Sequence, residues 1–117
     1  MKNVFCDGSL SSICYVFETC KPIIIKLDKK VTTNEAEYLA ICYALEAAIR
    51  LRWKDLTVLS DSQLIVNQLN GDYKIKKPHL LKLAQEVHRL VLKFNHITFT
   101  WLPRESNLAG IALEKTE

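Results

Sequence analysis

The spacing of apolar residues changes at Thr32, and this change constrains the fold more than any other feature of the sequence. Before it, short apolar runs bounded by turn residues predict three strands, over Asn3 to Cys6, Ser12 to Phe17 and Ile23 to Leu27. After it, apolar residues recur at helical spacing. A chain that opens with closely spaced strands and then turns to helices is expected to form layers of helix and sheet.

The first helix has a clear start. Thr32 is followed three residues later by Glu35, the spacing of a capping box in which each side chain bonds a free backbone amide of the other residue. The helix is predicted to run to about Arg52. Its expected buried stripe comprises Ala36, Leu39, Ala40, Tyr43, Ala47 and Leu51.

The rest of the chain alternates between the two periods. The predicted elements are a strand over Leu56 to Leu59, a helix from about Ser62 to Leu69, a helix from Pro78 to Phe94 and a strand from Ile97 to Trp101. The tail from Arg104 to Glu117 is a short stub that leaves the last helix truncated. The order predicts an α/β protein with a mixed sheet.

Composition excludes several classes of protein. At 117 residues the chain is expected to form a single domain over residues 1–117. The sequence has no apolar run long enough for a membrane helix and no leader segment, which predicts a cytoplasmic protein without membrane association. No motif implies a protein partner, and we expect a monomer. The net charge of +3 permits binding to a polyanion without demanding it. The four cysteines lack metal-ligand spacing, so we expect buried thiols.

Glycine is scarce, which removes two kinds of catalytic site. The three glycines, at positions 8, 71 and 110, cannot build a phosphate-binding glycine loop or the elbow of a serine nucleophile. What remains are acids beside regular elements: Asp7 after the first strand, Glu37 early in the first helix and Asp61 after the fourth strand. Each alone has an ordinary structural role in a turn, a helix start or a cap.

Together the three acids predict a metal site. Parallel strands deliver their carboxyl ends to one edge of a sheet, so Asp7, Glu37 and Asp61 are expected to converge. Clustered carboxylates repel one another unless cations neutralise them. An all-oxygen ligand set suits Mg²⁺ or Mn²⁺.

Four sequence blocks resemble the motifs of the type 1 ribonuclease H family and occur in the family's order. They are Phe5-Cys6-Asp7-Gly8-Ser9, Thr32-Thr33-Asn34-Glu35-Ala36-Glu37-Tyr38, Ser60-Asp61-Ser62-Gln63-Leu64, and the segment from Gln68 to Lys76. The resemblance implies a ribonuclease H-like fold: a five-stranded mixed sheet with strands 1 to 3 antiparallel, strands 1, 4 and 5 parallel, and flanking helices. It implies an endoribonuclease that cuts the RNA strand of an RNA/DNA hybrid with two metal ions, leaving 5′-phosphate and 3′-hydroxyl ends.

The same resemblance assigns roles to residues. Asp7 would bridge both ions, and Glu37 and Asp61 would each complete one coordination sphere. Residues expected to contact the hybrid are Gly8, Ser9, Asn34, Ser62, Gln63, Lys74, Lys76, Lys77 and Asn107. The lysines are equally well explained as solvated loop charges. Between them, Tyr73 and Ile75 are expected to point inward, and Trp101 is expected to lie in the core.

One family feature is missing. The family ends with an Asn-x-x-Ala-Asp-x-Leu motif, and counting from Asn107 puts Ile111 where the metal-binding aspartate belongs. Glu114 would share a helix face with Ile111 and could supply the lost oxygen. Alternatively, three acids suffice with water filling the vacancy. The third reading is a catalytically impaired module that binds hybrid or double-stranded nucleic acid.

Overall fold

The computed structural model describes residues 2–116 and contains one five-stranded sheet. Its strands are β1 (Lys2–Gly8), β2 (Ser12–Phe17), β3 (Ile23–Lys26), β4 (Asp55–Ser60) and β5 (His96–Trp101). The strand order is β3-β2-β1-β4-β5. The β3–β2 and β2–β1 pairs are antiparallel, whereas the β1–β4 and β4–β5 pairs are parallel. The predicted topology is confirmed.

Within the described residues, four helices flank the sheet: α1 (Thr33–Arg50), α2 (Gln63–Leu69), α3 (Pro78–Val91) and α4 (Leu108–Thr116). The capping box of α1 is present, because the Thr32 hydroxyl accepts a hydrogen bond from the Glu35 amide and the Glu35 carboxylate accepts one from the Thr32 amide. The tail is not a shapeless stub. A short 3₁₀ turn at Arg104–Ser106 leads into α4, a helix of nine residues.

Alternate residues of the central strands serve two different cores. In β1, Val4 and Cys6 pack in the larger core beneath α1 and α3, whereas Phe5 packs in a smaller core with Ala109 and Leu113 of α4. This is the period-two alternation of a strand buried on both faces. Asp7 continues the Phe5 side of β1, so its side chain lies toward α4.

Three predictions about burial fail. Tyr43 and Leu51, expected in the buried stripe of α1, are 38% and 53% exposed. Helix α1 packs against both the sheet and α3, so its buried surface is broader than one stripe and shifted toward Tyr38, Ile41 and Leu45. Of the four cysteines, Cys20 is exposed and the others are buried. Within residues 2–116 no helix is long and apolar enough to cross a membrane.

Candidate metal centre and nucleic-acid cleft

The pairing of β1 with β4 brings two of the predicted acids together. Cys6 lies opposite Ser60 at the end of the parallel pairing, so the next residues, Asp7 and Asp61, lie side by side. Strand β1 extends through Gly8, and Asp7 therefore lies in the ladder opposite Cys14 rather than in the predicted turn. Both acids stand at the carboxyl edge of the parallel strands, where α/β sheets place their ligand sites.

Glu37 reaches the same edge from α1. The Gly8 amide donates a hydrogen bond of 2.5 Å to Glu37 Oε1, which ties the end of β1 to the start of the helix. A Cβ atom on Gly8 would lie 2.4 Å from the carbonyl carbon of Ala36, far inside contact distance. Glycine is required here because the strand and the helix backbone touch.

The three carboxylates form one cluster. Asp7, Glu37 and Asp61 each offer an oxygen, and these atoms all lie within 4.8 Å of one another. Asp7 and Glu37 are buried, at 4% and 5% exposure. Burial and the neighbouring Asp7 charge raise the pKa of Glu37 far above its ordinary range, and burial also raises the pKa of Asp7. Burial and the nearby charge thus favour the protonated form of Glu37, whereas a bound cation would favour the ionised form.

Arg104 is a member of the site that the sequence reasoning missed. Its Nη1 atom lies 3.1 Å from Asp61 Oδ2 and 3.6 Å from Asp7 Oδ1, and its Nη2 atom lies 3.2 Å from Glu114 Oε1. Glu114, considered as a substitute metal ligand, is thereby engaged with the guanidinium, and its side chain is 63% exposed. The signal for Arg104 was its place three residues after Trp101, where β5 ends beside the end of β4.

Position 110 of α4, rather than Ile111, faces the carboxylates. A Cβ atom on Gly110 would lie 3.3 Å from Asp7 Oδ2 and 3.6 Å from Arg104 Nη1. Successive helical residues point about 100° apart, so Ile111 is directed away from that point. The sequence signal for position 110 is Ala109, because an alanine directly precedes the aspartate in the motif that this segment resembles.

Asn107 has a different task from the one expected. It is fully buried; its side-chain amide donates to the Cys6 carbonyl at 3.0 Å, and its oxygen accepts from the Ala109 amide at 3.1 Å. Both polar ends are thus bonded within the protein. Asn107 anchors the start of α4 to β1 and so determines where Gly110 sits.

A cleft of about 350 Å³ opens over the cluster. Besides the three acids and Arg104, its lining includes four residues predicted to contact substrate, namely Gly8, Ser9, Asn34 and Ser62. A second cleft of about 260 Å³ contains Lys74, Lys76 and Lys77 and shares Asn34 with the first. The lysine cluster therefore borders the site. Gln63 is exposed at the start of α2 and lines neither cleft.

Two aromatic residues predicted to be buried are exposed. Trp101 is 42% exposed because β5 is an edge strand of the sheet, and its indole N–H donates to the Asp61 carbonyl at 3.1 Å. Tyr73 is 51% exposed in the connector before α3, while Ile75 is packed against the larger core as expected. Trp101 thus braces the backbone of a cluster residue instead of filling the core.

Comparison with known proteins agrees with this geometry. The model of the family described as reverse transcriptase-like matches residues 15–115. The bifunctional protein Rv2228c of Mycobacterium tuberculosis is 38% identical over 78 residues, which are 67% of this chain and 21% of that protein. The ribonuclease HI of Halobacterium salinarum is 34% identical over 84 residues, 72% of this chain and 42% of that protein. The chain spans less than half the length of these curated relatives.

Solved structures extend the similarity over nearly the whole chain. The RNase H1 of Halobacterium salinarum NRC-1 superposes with a TM-score of 0.86 at 26% identity, covering 96% of this chain and 92% of that one. LC11-RNase H1, solved in complex with an RNA/DNA hybrid, shares the fold with a TM-score of 0.85 at 24% identity, covering 97% and 93%. The chain belongs to the reverse transcriptase-like family and folds as a ribonuclease H-like domain.

Proposed function

We propose that this domain hydrolyses the RNA strand of RNA/DNA hybrids with the help of divalent metal ions held by Asp7, Glu37 and Asp61. The observation that carries the proposal is the convergence of these three carboxylates from β1, α1 and β4 to within 4.8 Å. Like charges are not gathered and buried in this way for stability, since each adds repulsion and desolvation cost. Such a cluster is explained by a cation that binds there.

The donor set fits Mg²⁺ or Mn²⁺. The cluster offers carboxylate oxygens alone, the ligands that these hard cations prefer. When bound, the ions would lower the pKa of a water molecule to give the attacking hydroxide and would stabilise the leaving 3′ oxygen, so that products carry 5′-phosphate and 3′-hydroxyl ends. The family resemblance implies two ions, which Asp7, Glu37 and Asp61 would hold.

The protein's own groups prepare the site for such ions. The Gly8 amide keeps one Glu37 oxygen aimed at the end of β1. Asp61 is held through its backbone, because its carbonyl accepts the Trp101 indole and the preceding Ser60 carbonyl accepts the Leu102 amide. Ligands that are prearranged by such bonds lose little freedom when they bind a cation.

The clefts suit a nucleic acid with a ribose strand. Ser9, Asn34 and Ser62 line the cleft around the acids and can exchange hydrogen bonds with 2′-hydroxyl groups in a minor groove. Lys74, Lys76 and Lys77 line the adjoining cleft and can meet phosphates beyond the scissile bond. LC11-RNase H1, of the same fold, binds an RNA/DNA hybrid. Because the polar and lysine-lined clefts suit such a duplex, we propose an RNA/DNA hybrid as the substrate.

A second candidate is a catalytically impaired module that binds hybrid or double-stranded nucleic acid. The observation that favours it is glycine at position 110, which faces Asp7 and supplies no oxygen. In that case the clefts would bind the duplex without cutting it. The two candidates make opposite predictions about metal-dependent cleavage.

The deciding experiment is cleavage of an end-labelled RNA/DNA hybrid in Mg²⁺ and in Mn²⁺, with double-stranded RNA and DNA alongside. Wild type should cut only the RNA of the hybrid, and Asp61→Asn should remove that activity. Asp55→Asn is the matched control, because Asp55 stands at the opposite end of the same strand and pairs with His96. If wild type and Asp61→Asn both bind hybrid and neither cuts it, the binding module is correct and the enzyme is not.

A further inference from the structure

The open side of the carboxylate cluster already holds a positive charge. The Arg104 guanidinium lies 3.1 Å from an Asp61 oxygen and 3.6 Å from an Asp7 oxygen. Its other nitrogen, 3.2 Å from Glu114, ties it to α4 as well. A guanidinium cannot lose its proton in a protein, so this charge is permanent.

Gly110 determines which part of the cluster the guanidinium occupies. The position of a Cβ on Gly110 is 3.3 Å from Asp7 Oδ2 and 3.6 Å from Arg104 Nη1. Any side chain at 110 would therefore enter the space between the Asp7 carboxylate and the arginine. Because position 110 is glycine, it supplies no carboxylate that could bind a cation on that side of Asp7. The arginine fills the neighbouring space.

The position of the guanidinium favours one bound ion. Arg104 lies against Asp7 and Asp61 on one side of the cluster, and there it neutralises part of the charge that a second ion would otherwise neutralise. A second divalent ion bound between these aspartates would face the arginine at close range and be repelled by it. It would also lack the carboxylate that completes its ligand set.

We propose that Arg104 takes the place of the second cation, so that the free protein binds a single divalent ion among Asp7, Glu37 and Asp61. The proposal rests on the metal site of the proposed function and refines it. Two substitutions should therefore be needed to create a second ion site. One removes the guanidinium and the other supplies an oxygen at position 110.

The experiment counts bound Mn²⁺ in the nucleic-acid-free protein, by electron paramagnetic resonance of the remaining free ion and by calorimetry. Wild type and Gly110→Asp should each bind one ion, because an aspartate at 110 would pair with Arg104 instead. Arg104→Ala should also bind one, up to roughly fivefold more tightly, the effect expected from removing an ion pair of a half-exposed side chain. The double variant Arg104→Ala with Gly110→Asp should bind two ions.

Two matched controls isolate the geometry. Arg104→Ala combined with Ile111→Asp carries the same charges with the new carboxylate one residue along the helix, and it should stay at one ion. Arg89→Ala removes an arginine paired with Glu86 on α3, far from the cluster in sequence, and should leave the Mn²⁺ affinity unchanged. Circular dichroism and the thermal transition establish that each variant is folded.

The outcomes separate this proposal from the proposed function. Two ions in wild type, or one in the double variant, overturn the replacement of a cation by Arg104 while leaving the nuclease intact. No ion in wild type but one in Arg104→Ala also overturns it, since the arginine would then exclude the first ion. If no folded variant binds Mn²⁺, the metal site itself fails and the proposed function fails with it.

Discussion

The two halves of the carboxylate cluster are built differently. The inner half, formed by Gly8, Ala36 and Glu37, is closed. Strand β1 and helix α1 touch there, and a Cβ atom on Gly8 would overlap the backbone of Ala36. The outer half, formed by Arg104, Gly110 and Glu114, is open at its rim, with the Arg104 and Glu114 side chains 55% and 63% exposed. We infer that the inner half sets the ligand geometry, whereas the outer half adjusts the charge.

The largest expected difference between the halves is in activity. Asp7→Asn should reduce cleavage of the RNA/DNA hybrid at least about a thousandfold, because Asp7 is the carboxylate shared by both halves and metal catalysis is worth several kcal/mol. Glu114→Gln should reduce it less than about tenfold, since an exposed ion pair is worth little. Steady-state kinetics of both variants measure the contrast. Equal losses would make Glu114 a metal ligand and remove the distinction.

The next effect is on stability and concerns the two glycines. Gly8→Ala should destabilise the fold by about 3 kcal/mol, because its Cβ would overlap the Ala36 backbone and displace the amide bonded to Glu37. Gly110→Ala should change stability by less than about 1 kcal/mol, since helix propensity favours alanine and the nearest atom is 3.3 Å away. Urea unfolding compares the two. Similar losses would mean that the halves are equally closed.

A smaller effect concerns the proton in the inner half. Burial, followed by the Asp7 charge, raises the pKa of Glu37 in the metal-free protein, so the folded state binds a proton that the unfolded state releases. Stability should then fall as pH rises above the ordinary glutamate range toward the raised pKa. In chelator, Glu37→Gln should flatten that slope and gain about 2 kcal/mol at pH 8. Thermal unfolding from pH 5 to 9 tests this, and an unchanged slope would contradict it.

The smallest effect belongs to the outer half. Arg104→Ala should destabilise the metal-free protein by about 1 kcal/mol at low ionic strength, because three carboxylates lose their shared cation. Salt should reduce the loss, since the side chain is half exposed. Arg89→Ala, which breaks one exposed pair, should have a smaller effect than Arg104→Ala. Chemical unfolding at two salt concentrations measures both, and a salt-independent loss for Arg104→Ala would place the arginine's role in packing.

The three acids of the cluster were predictable from local sequence, whereas the residues of the outer half were not. Asp7, Glu37 and Asp61 each follow a recognisable strand end or helix start, and the parallel pairing of β1 with β4 then brings the two aspartates together. Arg104 and Gly110 lie in a segment whose periodicity was ambiguous. Counting from Asn107 in the sequence predicted that Ile111 occupies the position of the missing aspartate. In the structure, Asn107 anchors α4 on β1 so that Gly110 faces Asp7.

Burial shows the same division. The capping box and the period-two strands concern neighbours in sequence, and they were predicted correctly. Tyr43, Tyr73 and Trp101 were predicted as inward-facing, yet all three are exposed. Trp101 lies on β5, an edge strand of the sheet, and the buried surface of α1 depends on where the sheet and α3 pack against it. Both are decided by contacts between distant parts of the chain.

The sequence by itself determined the order of elements and the three acids, because periodicity, caps and turns are set by neighbouring residues. Its resemblance to a known family implied which strands are parallel. Only the tertiary structure decided what balances the charge of those acids. The guanidinium of Arg104 meets Asp7 and Asp61 across sequence separations of 97 and 43 residues. No local pattern records such a contact, since it depends on a 3₁₀ turn and a short helix being seated against the far side of the sheet.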